Sequence, residues 1–382
     1  MKSNMDKTNR QYYLDWLRII NILLVFLYHS LHFFDTNDWS VKNPTTYSWV
    51  SSMLQLLDIW VMPLIFLISG ASIYFAVQNG NVKRFIADKA LRLMVPQIIG
   101  VFTFSIMQVY IERVTHNQFK GSFFDFLPHY FDGIYSLGGT GNFAFHGMHL
   151  WYLLFLFIFI LLFLPLFLWL KGKNEGQLLL KLGGFLSKPG ALFIIIIPTL
   201  IVQNLNIDII KNGGWGILHY PWFFVAGFLL MSSEKIKERI IKMRWICLAV
   251  LTILSGIFVL VGDGPGDHPD ILVWFTIFSI LGFAMKHLDF NNSFLKYSNE
   301  AVMPFYILHQ NLLLLLGFFI VKLPLNDPLK FIFITFSTFS IILVLYEFFI
   351  RRNNILRVIF GMKPLAKSMD THRYSSGKPE EL

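Results

Sequence analysis

The chain contains one cysteine, Cys247, inside an apolar run, so an intrachain disulfide and a cysteine-based metal site are both excluded. Charge is also scarce. Asp, Glu, Lys and Arg make up 14% of the residues, against about 25% in an ordinary water-soluble domain. With 55% apolar residues and 41 phenylalanines, there is too little polar surface to cover a soluble fold of 382 residues. Walker loops, dinucleotide fingerprints and HExxH motifs are missing as well, which removes the commonest nucleotide-binding and zinc-hydrolase readings. The formal net charge of +9 does not point to nucleic acid, because Lys and Arg fall in short clusters between apolar runs rather than along one basic face. The main solvent of this chain is lipid, and membrane lipids are its first expected partner.

In hydrocarbon, backbone groups must be satisfied internally, which leaves closed barrels or helices of about 20 residues. Ten apolar runs approach that length: 14–34, 54–77, 95–115, 149–170, 191–209, 216–231, 245–262, 271–285, 301–321 and 329–350. The expected fold is all-α, a polytopic integral membrane bundle of about ten transmembrane helices. Its first run is long, contains Arg18 and lacks a small-residue cleavage site, so it reads as a retained helix. If the N-terminus is cytoplasmic, the tails and even-numbered turns hold 25 of the 32 basic residues. Five fall on the opposite side, and Arg18 and Arg113 lie within helices. That bias predicts both termini in the cytoplasm of a multi-pass cell-membrane protein. Residues 1–350 read as the membrane domain, and 351–382 as a basic tail disordered along the anionic inner leaflet. The connection 116–147 has three histidines and exceeds the usual length of an unstructured loop, so it reads as a cover over a site. The run Asp263-Gly264-Pro265-Gly266-Asp267-His268-Pro269-Asp270 reads as tight turns rather than a metal loop, and no structural metal is predicted.

Within the first run, Arg18 and His29 stand eleven residues apart, close to three helical turns, which puts both on one face about 16 Å apart along the axis. Asp15, Asn21 and His32 fall in the same broad stripe. Ionisable groups at this depth are costly in lipid and face a bundle interior or a wet cavity. A polar stripe that only holds helices together is the alternative.

The stretch Tyr12-Tyr13-Leu14-Asp15-Trp16-Leu17-Arg18, followed by ten residues and His29, resembles the Arg-x10-His signature of the membrane acyltransferase family 3. It is particularly similar to the glucans biosynthesis protein C branch, whose members modify sugars with acyl groups such as succinyl. Four further stretches resemble family patterns in the family's order. They are Phe66-Leu67-Ile68-Ser69-Gly70; the basic run Lys83-Arg84 to Arg92 before the third helix; His149-Leu150-Trp151-Tyr152-Leu153; and Phe305-Tyr306-Ile307-Leu308-His309. The resemblance implies His29 as catalytic base, a role suited to neutral imidazole. It associates Arg18, Arg84, Lys89 and Arg92 with the phosphates of an acyl-CoA donor, with Lys89 replacing a common arginine and so losing planar bidentate recognition. Asp15, His149, Trp151 and His309 are implied cavity or acceptor-side residues. Ser69 and its small neighbours read as a helix-packing cluster, and Trp151 and Tyr152 also suit interfacial anchors.

The implied activity moves an acetyl- or succinyl-class group from acyl-CoA, a substrate rather than a permanently bound cofactor, to a hydroxyl of a carbohydrate or glycan. A transporter or flippase for an anionic sugar or lipid is the rival, since membrane histidines also suit a substrate or proton path. The sequence does not specify an oligomeric state.

Overall fold

A computed structural model describes residues 10–77, 81–136, 139–172, 176–204, 218–261 and 270–365. Among them the structure is helical, apart from one isolated bridge between Ile134 and Phe143. The α-helices are α1 (Tyr12–Leu31), α2 (Ser48–Asp58), α3 (Val61–Ala76), α4 (Val82–Val101), α5 (Phe104–Thr115), α6 (Phe123–Phe126), α7 (Trp151–Gly172) and α8 (Gln177–Leu186). They continue as α9 (Ile197–Asn204), α10 (Tyr220–Leu230), α11 (Glu234–Val261), α12 (Asp270–His287), α13 (Ser293–Ile320), α14 (Asp327–Leu345) and α15 (Asn354–Ile359).

Eight stretches among the described residues are long and apolar enough to cross a membrane. Two are broken helices. α2 and α3 form Ser48–Ala76, and α4 and α5 form Val82–Thr115. Pro63 has no N–H for the Ile59 carbonyl, so the first break falls one turn before it. The expected fifth and sixth runs differ most from the prediction. The fifth begins at Gln177 and is a pair, Gln177–Leu186 and Ala191–Asn204, bent by 109° around Pro189-Gly190, which raises the count to nine if taken as one span. The sixth is reduced among the described residues to the 11-residue α10, short of the roughly 20 needed to cross alone. Residues 205–217 and 262–269, which include most of the Asp263 to Asp270 turn, lie outside the described residues.

Helix ends gather in two layers. In one, the Tyr12 N–H donates to Asp289 at 2.8 Å, Lys237 to Gln11 at 3.1 Å, Arg239 to the Ser187 carbonyl at 3.0 Å and Arg357 to Glu300 at 2.8 Å. Lys171 donates to the Val77 carbonyl at 2.8 Å and so caps the end of α3. In the other layer, Asn43 and Tyr47 hold Asp327 at 3.0 and 2.8 Å, and His116 meets Asp38 at 3.0 Å. Leu162, Trp245, Phe319 and Phe336 point outward and are more than half exposed, an arrangement matched to lipid. The tightest crossing is α3 on α10. A Cβ on Gly70 would lie 1.8 Å from the Phe224 carbonyl oxygen, and one on Gly227 would lie 1.9 Å from that of Leu67. The packing role expected for the small-residue cluster therefore holds for Gly70.

The segment after Ile350 departs from the expected disorder. Residues 351–365 include α15 and bury Arg357, Phe360 and Met362. Apolar side chains and an ion pair to Glu300 anchor a stretch whose overall basic composition had read as tail. The remaining residues, 366–382, lie outside the described part.

Candidate active site

Two cavities lie next to each other within the bundle. The first, about 480 Å³, opens in the layer of helix ends that holds Arg10 and Lys363. Six cations line it: Arg10, Arg18, Lys89, Arg92, Arg357 and Lys363. Two carboxylates neutralise part of that charge. Asp15 accepts from Arg10 at 2.8 Å and Arg18 at 3.2 Å, and Glu300 accepts from Arg357 at 2.8 Å. Arg18 is further fixed by donating to the Ser72 hydroxyl at 2.8 Å, so its guanidinium plane is set before any ligand arrives. The spacing on α4 places Lys89 and Arg92 on the cavity side, and Arg92 Nε donates to the Gly361 carbonyl at 3.3 Å.

The second cavity, about 260 Å³, is lined by His29, Trp39, Tyr135, His146, His149 and Trp151, among others. Ile22, Ile65, Tyr152 and Tyr306 line both cavities and form a waist between them. The Ser69 and Tyr152 hydroxyls are 2.6 Å apart at this waist. His29 is half-buried, and its ring lies parallel to Trp39 at 6.0 Å between centroids, tilted 9°. Its Nδ1 is buried with no hydrogen-bond partner among the described residues.

The neighbouring histidines have different commitments. His149 is engaged at both nitrogens: Nδ1 faces the Gln108 amide at 3.1 Å and Nε2 the Ile307 carbonyl at 3.1 Å. With Nε2–H donating and Nδ1 accepting, its tautomer is determined and it has no free lone pair for a substrate. His309 donates from Nδ1 to the Tyr306 carbonyl at 2.6 Å, leaving a buried Nε2 without a partner, and its ring stands 5.4 Å from that of His29. His146 precedes α7, and burial pushes its imidazole down to about 4, so it adds no charge to the chamber near pH 7. Of the four, His29 presents its ring to the cavity without a hydrogen bond that fixes either nitrogen.

Part of the connection between α5 and α7 covers this chamber, with Tyr135 and His146 in its lining. Arg113, buried beside the fully buried Glu112 at 2.9 Å, reaches across residues 118–142. It donates to the Asn142 side chain at 2.9 Å, the Gln118 side chain at 2.8 Å and the Gly141 carbonyl at 2.8 Å. The Tyr135 hydroxyl donates to Glu112 at 2.7 Å, and burial followed by the Glu112 charge keeps that phenol well above its ordinary range. Gln97 holds the His146 carbonyl at 2.6 Å. Just after α1, burial works against the charge of Asp35, yet hydrogen bonds from His32 and Lys42 hold its carboxyl below the usual range.

Two adjacent cavities, one lined by anion-binding groups and the other by an uncommitted imidazole, share one wall of four residues. The model of the acyltransferase domain Acyl_transf_3 matches residues 11–347. The chain belongs to this acyltransferase family. It is therefore an acyltransferase that transfers groups other than aminoacyl groups, and its apolar helices make it a multi-pass membrane member of the family. Similar proteins are the "Glucans biosynthesis protein C" of Salmonella paratyphi B (strain ATCC BAA-1250 / SPB7), of Salmonella heidelberg (strain SL476) and of Salmonella agona (strain SL483). Each is 22% identical over 386 residues, covering 94% of this chain and 96% of the relative. No solved structure matches this chain.

The structure sorts the residues that the acyltransferase resemblance had singled out. Arg18, Lys89, Arg92 and Asp15 meet at the mouth; His29, His149 and Trp151 line the chamber. His309 stands behind the lining, in ring contact with His29 and His149. Arg84 is exposed and does not line either cavity, because five residues separate it from Lys89 and turn it about 140° away around α4. Asn21 leaves the expected stripe too, donating to the Val61 carbonyl at 3.0 Å and lining a separate apolar groove. Trp151 and Tyr152 are more than interfacial anchors, since both line the cavity that holds His29. Sequence reasoning missed Trp39, Tyr135, His146, Arg357 and Lys363. The position of the long connection signalled Tyr135 and His146; Trp39 lies in the connection after α1, which carried no such signal.

Proposed function

We propose that this acyltransferase moves an acetyl- or succinyl-class acyl group from acyl-CoA to a hydroxyl of a carbohydrate or glycan. The observation that supports it most is the wall of Ile22, Ile65, Tyr152 and Tyr306, which the cationic mouth and the His29 chamber share. Donor phosphates sit against Arg92, Lys89 and Arg18, where charge-assisted hydrogen bonds are strongest. The narrow pantetheine arm passes between Ile22, Ile65, Tyr152 and Tyr306 and brings the thioester beside His29. An acceptor hydroxyl enters from the covered side. His29 removes its proton as the oxygen attacks the thioester carbon; the C–S bond then breaks, and the proton passes to the departing thiolate. His29 needs a free lone pair for this, and neutral imidazole supplies one. Holding the thioester and the acceptor hydroxyl together beside His29 makes the step effectively unimolecular.

The acceptor class is carried by the relatives' name, "Glucans biosynthesis protein C", and by two chamber aromatics, Trp39 and Trp151, of the kind that pack against sugar rings. The cationic mouth lies on the cytoplasmic side in this reading, with both termini, and the short α10 counts as a tenth crossing beside the eight spans and the bent pair. The support is the distribution of 25 basic residues against five and the two layers of helix ends. The decisive experiment incubates purified protein in nanodiscs with labelled acetyl-CoA or succinyl-CoA and a glucan oligosaccharide. A mass increase on the glucan equal to one acyl group, with release of free coenzyme A, is expected. Movement of unmodified glucan across sealed vesicles with no acylation would instead establish a transporter.

A further inference from the structure

The C-terminal hook of the described chain, residues 354–363, was not anticipated as part of any site. Asn353 caps α15 by accepting from the Ile355 and Leu356 N–H groups at 2.9 and 3.1 Å. Arg357, 6% exposed, then fixes the turn that follows, donating to the Lys363 carbonyl at 2.7 Å, the Arg351 carbonyl at 3.0 Å and Glu300 at 2.8 Å. Gly361 takes the left-handed conformation at φ +70°, and a Cβ there would lie 2.7 Å from the Arg92 carbonyl oxygen. Any larger residue would lift the hook off α4. Arg92 reciprocates by donating to the Gly361 carbonyl. The hook is thus pinned to α13 through Glu300 and to α4 through Arg92.

This fold brings the Lys363 side chain into the mouth beside Lys89 and Arg92. Asp15 and Glu300, the carboxylates lining the cavity, are already engaged by Arg10, Arg18 and Arg357. Among the described residues Lys89, Arg92 and Lys363 form no ion pair, although folding places these like charges around one cavity. A multiply charged anion removes that repulsion, whereas a neutral ligand leaves it in place. We propose that the hook is part of the donor site and that Lys363 contacts the phosphates of the donor directly. This rests on the acyl-CoA reading above and adds a binding residue beyond the family-matched region, which ends at residue 347.

The test measures binding of free coenzyme A to the full chain in nanodiscs, at low and moderate salt. Lys363→Ala should weaken binding about threefold to tenfold, as expected for one partly screened charged contact. Lys363→Glu should weaken it further, with both losses shrinking as salt rises. Arg357 contacts only the Lys363 backbone, so neither change removes the anchor of the hook. Arg352→Glu on the same segment is the control: its side chain is 63% exposed and outside the cavity. In turnover, Lys363→Ala should raise the donor KM and leave kcat and the acceptor KM unchanged. Wild-type affinity in Lys363→Glu, with the wild type binding saturably, overturns the hook as a donor contact and leaves the acyl-CoA reading intact. If the wild type does not bind coenzyme A saturably, the donor reading itself fails.

Discussion

Replacing Arg113 with Met removes the guanidinium that ties the chamber cover to α5 while keeping an unbranched side chain of similar reach. Arg113 is 3% exposed and Glu112 is 0% exposed, so the substitution leaves a buried carboxylate without its cationic partner. Removing one member of a buried pair costs about 3–5 kcal/mol, here concentrated in the local stability of the cover. At about 1.4 kcal/mol per tenfold change, the opening equilibrium should rise by roughly two to nearly four powers of ten. Hydrogen exchange in nanodiscs reads this directly at the Gln118, Asn142 and Phe143 amides, whose acceptors are the Arg113, Asp132 and Gly133 carbonyls at 2.8, 2.9 and 2.8 Å. Those amides should exchange far faster, while amides at the α3–α10 crossing keep wild-type rates. Adding Glu112→Gln should recover part of the loss, because a neutral amide is cheaper to bury than an unpaired carboxylate. Coenzyme A binding at the opposite mouth should be unchanged. Exchange of the three amides within threefold of wild type would refute the claim that this pair holds the cover.

Gly70→Ala should lower folded abundance and detergent melting temperature, whereas Gly184→Ala, where a Cβ meets nothing within 4 Å, should be neutral. Equal behaviour of the two would contradict the close crossing. Ser69→Ala should keep transfer within about tenfold of wild type, since its hydroxyl bonds the Ile65 carbonyl and Tyr152 rather than a base. A loss beyond a thousandfold with donor binding intact points instead to a covalent serine route. Cysteines at Lys83 and Lys367 should resist an impermeant thiol reagent in intact cells and react after permeabilisation; labelling in sealed cells reverses the orientation.

Much of this molecule was readable because lipid imposes a simple code of long apolar runs bounded by cations. The three-turn spacing of Arg18 and His29 was readable for the same reason, and it places one residue in each cavity. The broken fifth span was not, because hydropathy is blind to direction and a Pro-Gly pair inside an apolar stretch turns the chain by 109°. The family resemblance of the basic run grouped Arg84 with Lys89 and Arg92, whereas helical phase separates them. Lys363 and Arg357 were hidden for a different reason. Their segment reads as basic tail, and tertiary contacts to Glu300 and Arg92, distant in sequence, together with the burial of Phe360 and Met362, order it. The different commitments of the histidines depend likewise on single backbone carbonyls, those of Ile307 and Tyr306, that no motif records.

The central claim is that donor recognition and chemistry occupy opposite ends of one passage, with His29 as the base. The most direct measurement pairs coenzyme A binding with single-turnover acyl transfer for His29→Ala and Arg92→Ala in the same nanodisc preparation. His29→Ala should bind coenzyme A as the wild type does and lose about a hundredfold to ten-thousandfold in transfer. Arg92→Ala should bind it more weakly and recover much of its transfer at saturating donor, with Arg92→Lys between the two. Near-wild-type transfer by His29→Ala at saturating substrates would contradict the account.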